Sequence, residues 1–198
     1  ATAQAGGLGI IAAAPMTYDQ MVDAIAEVRA ATDAPFGVNL RTDAADVDRR
    51  VDHLIAEGVR VASFAQAPGQ AIVERLKEAG VVVIPTIGAA RHAAKVAEWG
   101  VDAVIAQGAE GGGHTGLVPT SILVPQVLDA LEGSGVALVA AGGFTDGRGL
   151  AAALAWGADA VAMGTRFLLT TDSDVPDEVK SVYLATPVTG TVVTRAVD

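Results

Sequence analysis

His114 stands at the end of a glycine-rich segment, QGAEGGGHTG, that runs over residues 107–116. Imidazole is the side chain whose proton exchange lies nearest neutral pH. Gly111, Gly112 and Gly113 precede it without a Cβ, so a flat ligand can come close to the backbone. The segment leaves an apolar run at 103–106. A second pair of segments suits a different chemistry. AAGGFTDGRG (140–149) and MGTRF (163–167) each follow an apolar run and open on glycine or near it. Backbone N–H groups in such turns, with a following helix N-terminus, can hold a phosphate. Gly142, Gly143 and Gly164 allow the approach, and Thr165 adds a hydroxyl donor. The same pattern also suits a plain tight turn.

Short apolar runs must position these residues. They fall at 9–13, 36–40, 61–65, 81–87, 103–106, 137–141 and 160–163. Between them, apolar residues recur at helical steps: Met21, Ile25 and Val28; Val47, Val51, Leu54 and Ile55; Ile72, Val73 and Leu76. Thr17 and Asp43 read as helix caps, and Gly58, Gly80, Gly100 and Gly157 as helix ends. Strands that are apolar throughout, alternating with helices, indicate a parallel sheet covered by helices. The repeat predicts an α/β fold, a (β/α)8 TIM barrel, in one domain over 1–198. The seven runs count as strands two to eight. ATAQAGG at the start reads as the tail of a helix, so the first strand is expected ahead of Ala1, outside this numbering.

Composition narrows the function. The chain is 51% hydrophobic but only 4% aromatic, and its formal net charge is −10, from 13 basic and 23 acidic residues. That charge opposes the basic surface with which proteins displace counterions from nucleic acid. No apolar run approaches the about 18 residues of a membrane span. Zero cysteines removes disulfides and thiolate chemistry. The expected setting is cytoplasmic, with a small-molecule substrate, no nucleic acid, no membrane, no metal, and a homo-oligomer as one assembly.

QGAEGGGHTG, the long segment AAGGFTDGRGLAAALAWGADAVAMGTRFLLT and the opening AGGLGIIAA resemble the nitronate monooxygenase (2-nitropropane dioxygenase) family. That family includes the FMN-dependent enoyl-acyl-carrier-protein reductases. The resemblance runs in order from Ala5 to about Thr170. FGVNL, VRVASFA and EGGGHTG look closest to actinobacterial members of steroid-ring catabolism, which act on CoA thioesters. The resemblance implies a barrel holding FMN, with His114 as the acid/base group facing the flavin. It implies Asn39, Gln107 and Gly112 beside the cofactor. Gly142, Gly143, Met163, Gly164 and Thr165 correspond to its phosphate clamp. The implied activity is that of an FMN-dependent oxidoreductase of the nitronate monooxygenase type. An alternative is a dehydrogenase or reductase of a CoA thioester, with NAD(P)H as a further redox partner. Two departures bear on substrate: the first-strand loop lies outside the numbering, and IPTIG (84–88) lacks the lysine some members place near the flavin.

Other classes fit less well. Barrels that oxidise IMP or reduce GMP share the phosphate motif but depend on cysteine. A Schiff-base aldolase needs a lysine at a strand end, whereas Lys77, Lys95 and Lys180 fall in helical patterns. A flavin- or phosphate-binding remnant without catalysis is the non-enzymatic alternative. His53 and His92 read as solvent-facing helix residues, and Asp102 and Asp159 as turn residues ahead of strands. Glu110 either holds the glycine loop or helps to position His114. Residues 171–178 read as a solvated acidic loop leading into a helix.

Overall fold

Parallel strands alternate with helices through the first 162 residues of a computed structural model that describes residues 1–194. The described residues form two compact units, one from Ala1 to Ala162 and one beginning at Met163. The strands of the first are β1 (Gly9–Ala12), β2 (Phe36–Leu40), β3 (Val61–Phe64), β4 (Val82–Ile87), β5 (Ala103–Gln107), β6 (Ala137–Ala141) and β7 (Ala160–Ala162). They lie in sequence order, and every neighbouring pair is parallel. The connecting helices are α1 (Tyr18–Ala31), α2 (Val47–Ala56), α3 (Gln70–Glu78), α4 (Ala90–Glu98), α5 (Thr120–Leu131) and α6 (Gly147–Trp156). This is the TIM-barrel-like plan. The order ends at β1 and β7, which form no ladder with each other among the described residues.

Side chains alternate across the sheet, and each face has its own packing. Val38, Leu40, Ala62, Phe64, Val83 and Val104 point to the helices and are fully buried. They share one core with Met21, Ile25, Val51, Leu54, Val73 and Leu76 on the helical stripes. The opposite face carries a smaller cluster, Val61, Ile84 and Ala103, with Ile105 and Ala137 packed on it. Burial on both faces explains why the strands read as continuous apolar runs.

Local signals set the boundaries. Thr17 caps α1 in a capping box: its Oγ1 accepts from the Gln20 N–H at 3.3 Å, and Gln20 Oε1 accepts from the Thr17 N–H at 2.9 Å. Gly58, Gly80, Gly100 and Gly157 follow their helices with positive φ, which a Cβ disfavours. The opening segment forms a turn, with the Ala5 N–H donating to Ala1 O at 3.0 Å. Asp102 and Asp159 do more than turn the chain. Each carboxylate accepts a neighbouring strand's N–H, Val83 and Leu138 respectively, both at 2.8 Å.

The second unit holds α7 (Thr165–Leu168) and α8 (Asp177–Ala185). Lys180 on α8 donates to the carbonyls of Thr170 (3.0 Å) and Ser173 (2.7 Å), which closes the acidic loop onto the helix that follows it.

Candidate active site

The C-terminal ends of the strands carry the polar side chains. In the register of β2 and β3, Asn39 pairs with Ser63, and both point to the face away from the helices. Asn39 Nδ2 donates to Ser63 Oγ at 3.0 Å, and Ser63 is 1% exposed. Gln107, the last residue of β5, lies on the same face by alternation from Ala103 and Ile105. Ser63 was not singled out in the sequence, although a serine inside the apolar run VASFA was a visible exception.

Gln107 shapes the glycine loop from below. Its Nε2 donates to Gly112 O at 3.0 Å and to His114 O at 3.1 Å. A Cβ on Gly111 would meet the Gln107 side chain at 2.8–3.1 Å, and Gly113 has a φ of +77°. Farther back, Glu110 reaches the start of α5. Its Oε2 accepts from the Thr120 N–H at 2.9 Å and from the Thr120 hydroxyl at 2.8 Å. Burial alone would push the Glu110 carboxyl up, but these two donors outweigh it and hold the group below its ordinary value. Of the two roles open to Glu110, the one observed is fastening the loop to α5. Gly142, with a φ of +102°, passes close by, and a Cβ there would lie 2.9 Å from Thr120 Oγ1. Gly143 also has positive φ, at +78°.

His114 emerges from this loop into a cleft of about 220 Å³. Ala14 and Pro15 after β1, Arg41, Thr42 and Asp43 after β2, and Ala65 and Gln66 after β3 complete its lining. Arg41 Nε donates to Asp43 Oδ1 at 2.9 Å, and a second guanidinium nitrogen to Oδ2 at 2.6 Å. The Arg41 hydrogen bonds hold the Asp43 carboxyl below the ordinary range against partial burial, with the charges of Arg41 and His114 adding to them. The same hydrogen bond raises Arg41. Asp43 is therefore not a helix cap. The cap position of α2 is Asp46, whose carboxylate accepts from Arg50 Nε at 2.9 Å. Arg50, 7% exposed, also donates to Ala13 O (3.2 Å) and Met16 O (2.8 Å), fixing the loop that forms one wall of the cleft. Neither Arg41 nor Arg50 was singled out in the sequence.

The nitronate monooxygenase family model matches residues 1–49 and 43–198. The chain belongs to the nitronate monooxygenase family. A Mycobacterium tuberculosis protein named "(3aS,4S,5R,7aS)-5-hydroxy-7a-methyl-1-oxo-octahydro-1H-indene-4-carboxyl-CoA dehydrogenase" is 66% identical over the whole chain, which covers 56% of that protein. A Staphylococcus aureus protein named "Probable nitronate monooxygenase" is 32% identical, over 96% of this chain and 66% of its own length. Among solved structures, FabK from Thermotoga maritima superposes with a TM-score of 0.93 at 42% identity, over 98% of this chain and 61% of that one. The chain spans about half the length of the first of these relatives.

For a member of the nitronate monooxygenase family, the bare glycines test whether a flat cofactor fits. A Cβ on Gly112 would meet nothing within 4 Å, and its φ is not in the left-handed region. Neither packing nor backbone requires glycine there, so the open space suits a ligand. In the second unit Gly164 is equally open and precedes α7, on which Thr165 is the first residue; Met163 is half-buried. His92 is exposed, as expected, but His53 is half-buried, its ring edge-on to Tyr18 at 5.6 Å. Among the described residues no helix is long and apolar enough to cross a membrane, and no cluster of three metal-ligating side chains occurs.

Proposed function

We propose that this chain is an FMN-dependent oxidoreductase in which His114 exchanges a proton with a carbon acid, and that its substrate is a CoA thioester. The observation that carries the reading is His114 itself, held at the cleft by a loop whose bare Gly112 leaves room for a flat ring. The substrate class rests on the 66% identity to a protein named as a carboxyl-CoA dehydrogenase. Bound FMN would supply two-electron redox chemistry at N5. The chain's own residues bind, orient and move the proton. Neutral His114 takes the acidic proton alpha to the thioester carbonyl, and protonated His114 returns one. Asn39, steadied by Ser63, and Gln107 and Gly112 present polar and open surface to the cofactor. By family resemblance, Gly142 and Gly143 of the first unit and, taken separately, Met163, Gly164 and Thr165 of the second correspond to phosphate-binding positions.

The family match favours a second reading, oxidation of a nitronate with the same histidine acting on the nitroalkane. Anaerobic mixing separates the two. The reading expects the protein as purified to carry flavin absorbance, and an acyl-CoA thioester to bleach it faster than a nitronate or NAD(P)H. His114→Ala should retain the flavin but slow bleaching by a neutral carbon acid by about 10²- to 10⁴-fold, the usual contribution of a positioned acid/base group. A preformed nitronate, already deprotonated, should be less affected. Parent-rate bleaching by His114→Ala would remove the histidine from the chemistry, and a colourless protein that takes up no FMN would remove the cofactor.

A further inference from the structure

Arg41, the first residue after β2, is the one residue lining the cleft with a permanent positive charge. Asp43 takes one edge of its guanidinium: Nε donates to Oδ1 at 2.9 Å and Nη2 to Oδ2 at 2.6 Å. That fork is side-on. The end-on edge, formed by Nη1 and the outer N–H of Nη2, makes no hydrogen bond among the described residues. Arg50, which holds the neighbouring wall of the cleft, differs. It is buried, and its Nε, Nη1 and Nη2 all donate within the chain, to Asp46, Ala13 O and Met16 O. The Arg41 side chain is 53% exposed, so its pairing with Asp43 adds little to stability. What the fork fixes is the plane and direction of the guanidinium.

We propose that Arg41 is a specificity-determining residue: the open edge of its guanidinium takes a phosphate of the CoA substrate at the cleft, while Asp43 holds the other edge. The proposal rests on the CoA-thioester reading above. An end-on guanidinium edge presents two parallel N–H groups, which match two oxygens of a phosphate. A thioester carbonyl is neutral and offers one oxygen, so it gains less from that edge than a permanent anion does. The formal net charge of the chain is −10, and a field of that sign opposes a polyanionic substrate. A directed cation in the cleft offsets that opposition where the substrate enters. Asp43 cancels much of the Arg41 charge at a distance, so recognition works through contact with the open N–H groups.

The test is calorimetric binding to the flavin-loaded protein, with free CoA and with pantetheine, which shares the thiol arm but lacks the phosphates. Arg41→Gln should weaken CoA binding by roughly 5- to 30-fold, the lower part of what hydrogen bonds to charged groups give, because the site is exposed. The loss for pantetheine should be much smaller. Arg41→Lys, which keeps the charge but not the fork, should recover only part of the CoA affinity. In flavin bleaching, KM for an acyl-CoA thioester should rise by the same factor in Arg41→Gln, with kcat changed less. Urea midpoints near the parent's show that both variants fold. Unchanged CoA binding in Arg41→Gln, or equal losses for CoA and pantetheine, would overturn the proposal. So would a fall in flavin content with CoA affinity intact, which would put the phosphate of the cofactor on Arg41 instead. A parent that binds CoA no better than pantetheine and is not bleached by acyl-CoA would remove the thioester reading, and the proposal with it. A parent that is bleached by acyl-CoA, with Arg41→Gln behaving identically, would sink the proposal alone.

Discussion

Three consecutive glycines before His114 have three different reasons to be glycine. Gly111 makes room for Gln107, Gly113 takes a left-handed φ, and Gly112 is open on both counts. Gly112→Val should therefore leave stability within about 0.5 kcal/mol of the parent, as surface changes usually do, yet lower the flavin-to-protein absorbance ratio. Full flavin content in that variant would show that no ring lies over Gly112. Asp146 offers a pH-dependent test away from the cleft. It caps α6 by accepting from the Arg148 N–H at 2.9 Å, and hydrogen bonds from Arg148 lower its carboxyl from 3.8 to about 2. A depressed folded value means that the stabilisation is complete above the unfolded value and is lost as pH falls through the folded one. The melting temperature of the parent should exceed that of Asp146→Asn by a constant margin above about pH 5. The margin should close between pH 3.8 and about 2. A margin that persists at pH 2 would show that it does not come from the ionised carboxylate. His114 was legible in the sequence because glycines isolate it. The Asp43 side chain was misread because an aspartate shortly before a helical pattern looks like a cap, and only the fold shows Arg41 taking its carboxylate.

At the scale of elements, the loop between β5 and α5 is built like a clasp. Gly108 lies so near Thr120 that a Cβ would come within 2.0 Å of Oγ1 and 2.5 Å of the Thr120 backbone. Thr120 is 4% exposed, and its hydroxyl bonds Glu110. Thr120→Val keeps the shape and removes the donor, leaving the carboxylate one partner short. The expected cost is about 1–3 kcal/mol, the penalty for a buried polar group left partly unsatisfied. Thr120→Ser should recover most of it, and urea unfolding of the pair measures both. Equal midpoints for Thr120→Val and the parent would show that the clasp does not hold. The same construction explains why α5 was hard to read. Pro119 stands at its cap position without a side-chain acceptor, and the carboxylate that satisfies its first N–H comes from Glu110, ten residues upstream. By contrast, α1 announces itself through the local pair Thr17 and Gln20. Signals within one turn of chain are legible in sequence; those that cross a loop are not.

For the whole molecule, the strand order and helix stripes were legible because burial on both faces of a parallel sheet leaves an apolar run that ordinary loops do not imitate. The register was not, and it is the register that brings Asn39, Ser63 and Gln107 to one face. The core implied by that arrangement can be tested by contrast. Leu54 on α2 is fully buried in the helix-side core, whereas Leu117, in the loop after β5, is 80% exposed. Both lose the same atoms on substitution by alanine, so hydration of the side chain itself cancels and the surroundings decide. Around Leu54 the neighbours are held by helices on one side and strands on the other and cannot collapse into the space, so Leu54→Ala should cost about 2–5 kcal/mol. Leu117 already meets water, so Leu117→Ala should stay within about 0.5 kcal/mol. Because the described residues divide at Met163, unfolding is followed by the circular dichroism of the whole chain and by the fluorescence of its two tryptophans, Trp99 and Trp156, both of which lie in the first unit. Leu54→Ala should shift the tryptophan transition to lower urea, and Leu117→Ala should leave it in place. Equal shifts for the two variants would mean that the helix-facing cluster is not the core that holds the strands, and so not what sets the spacing of the loops around His114.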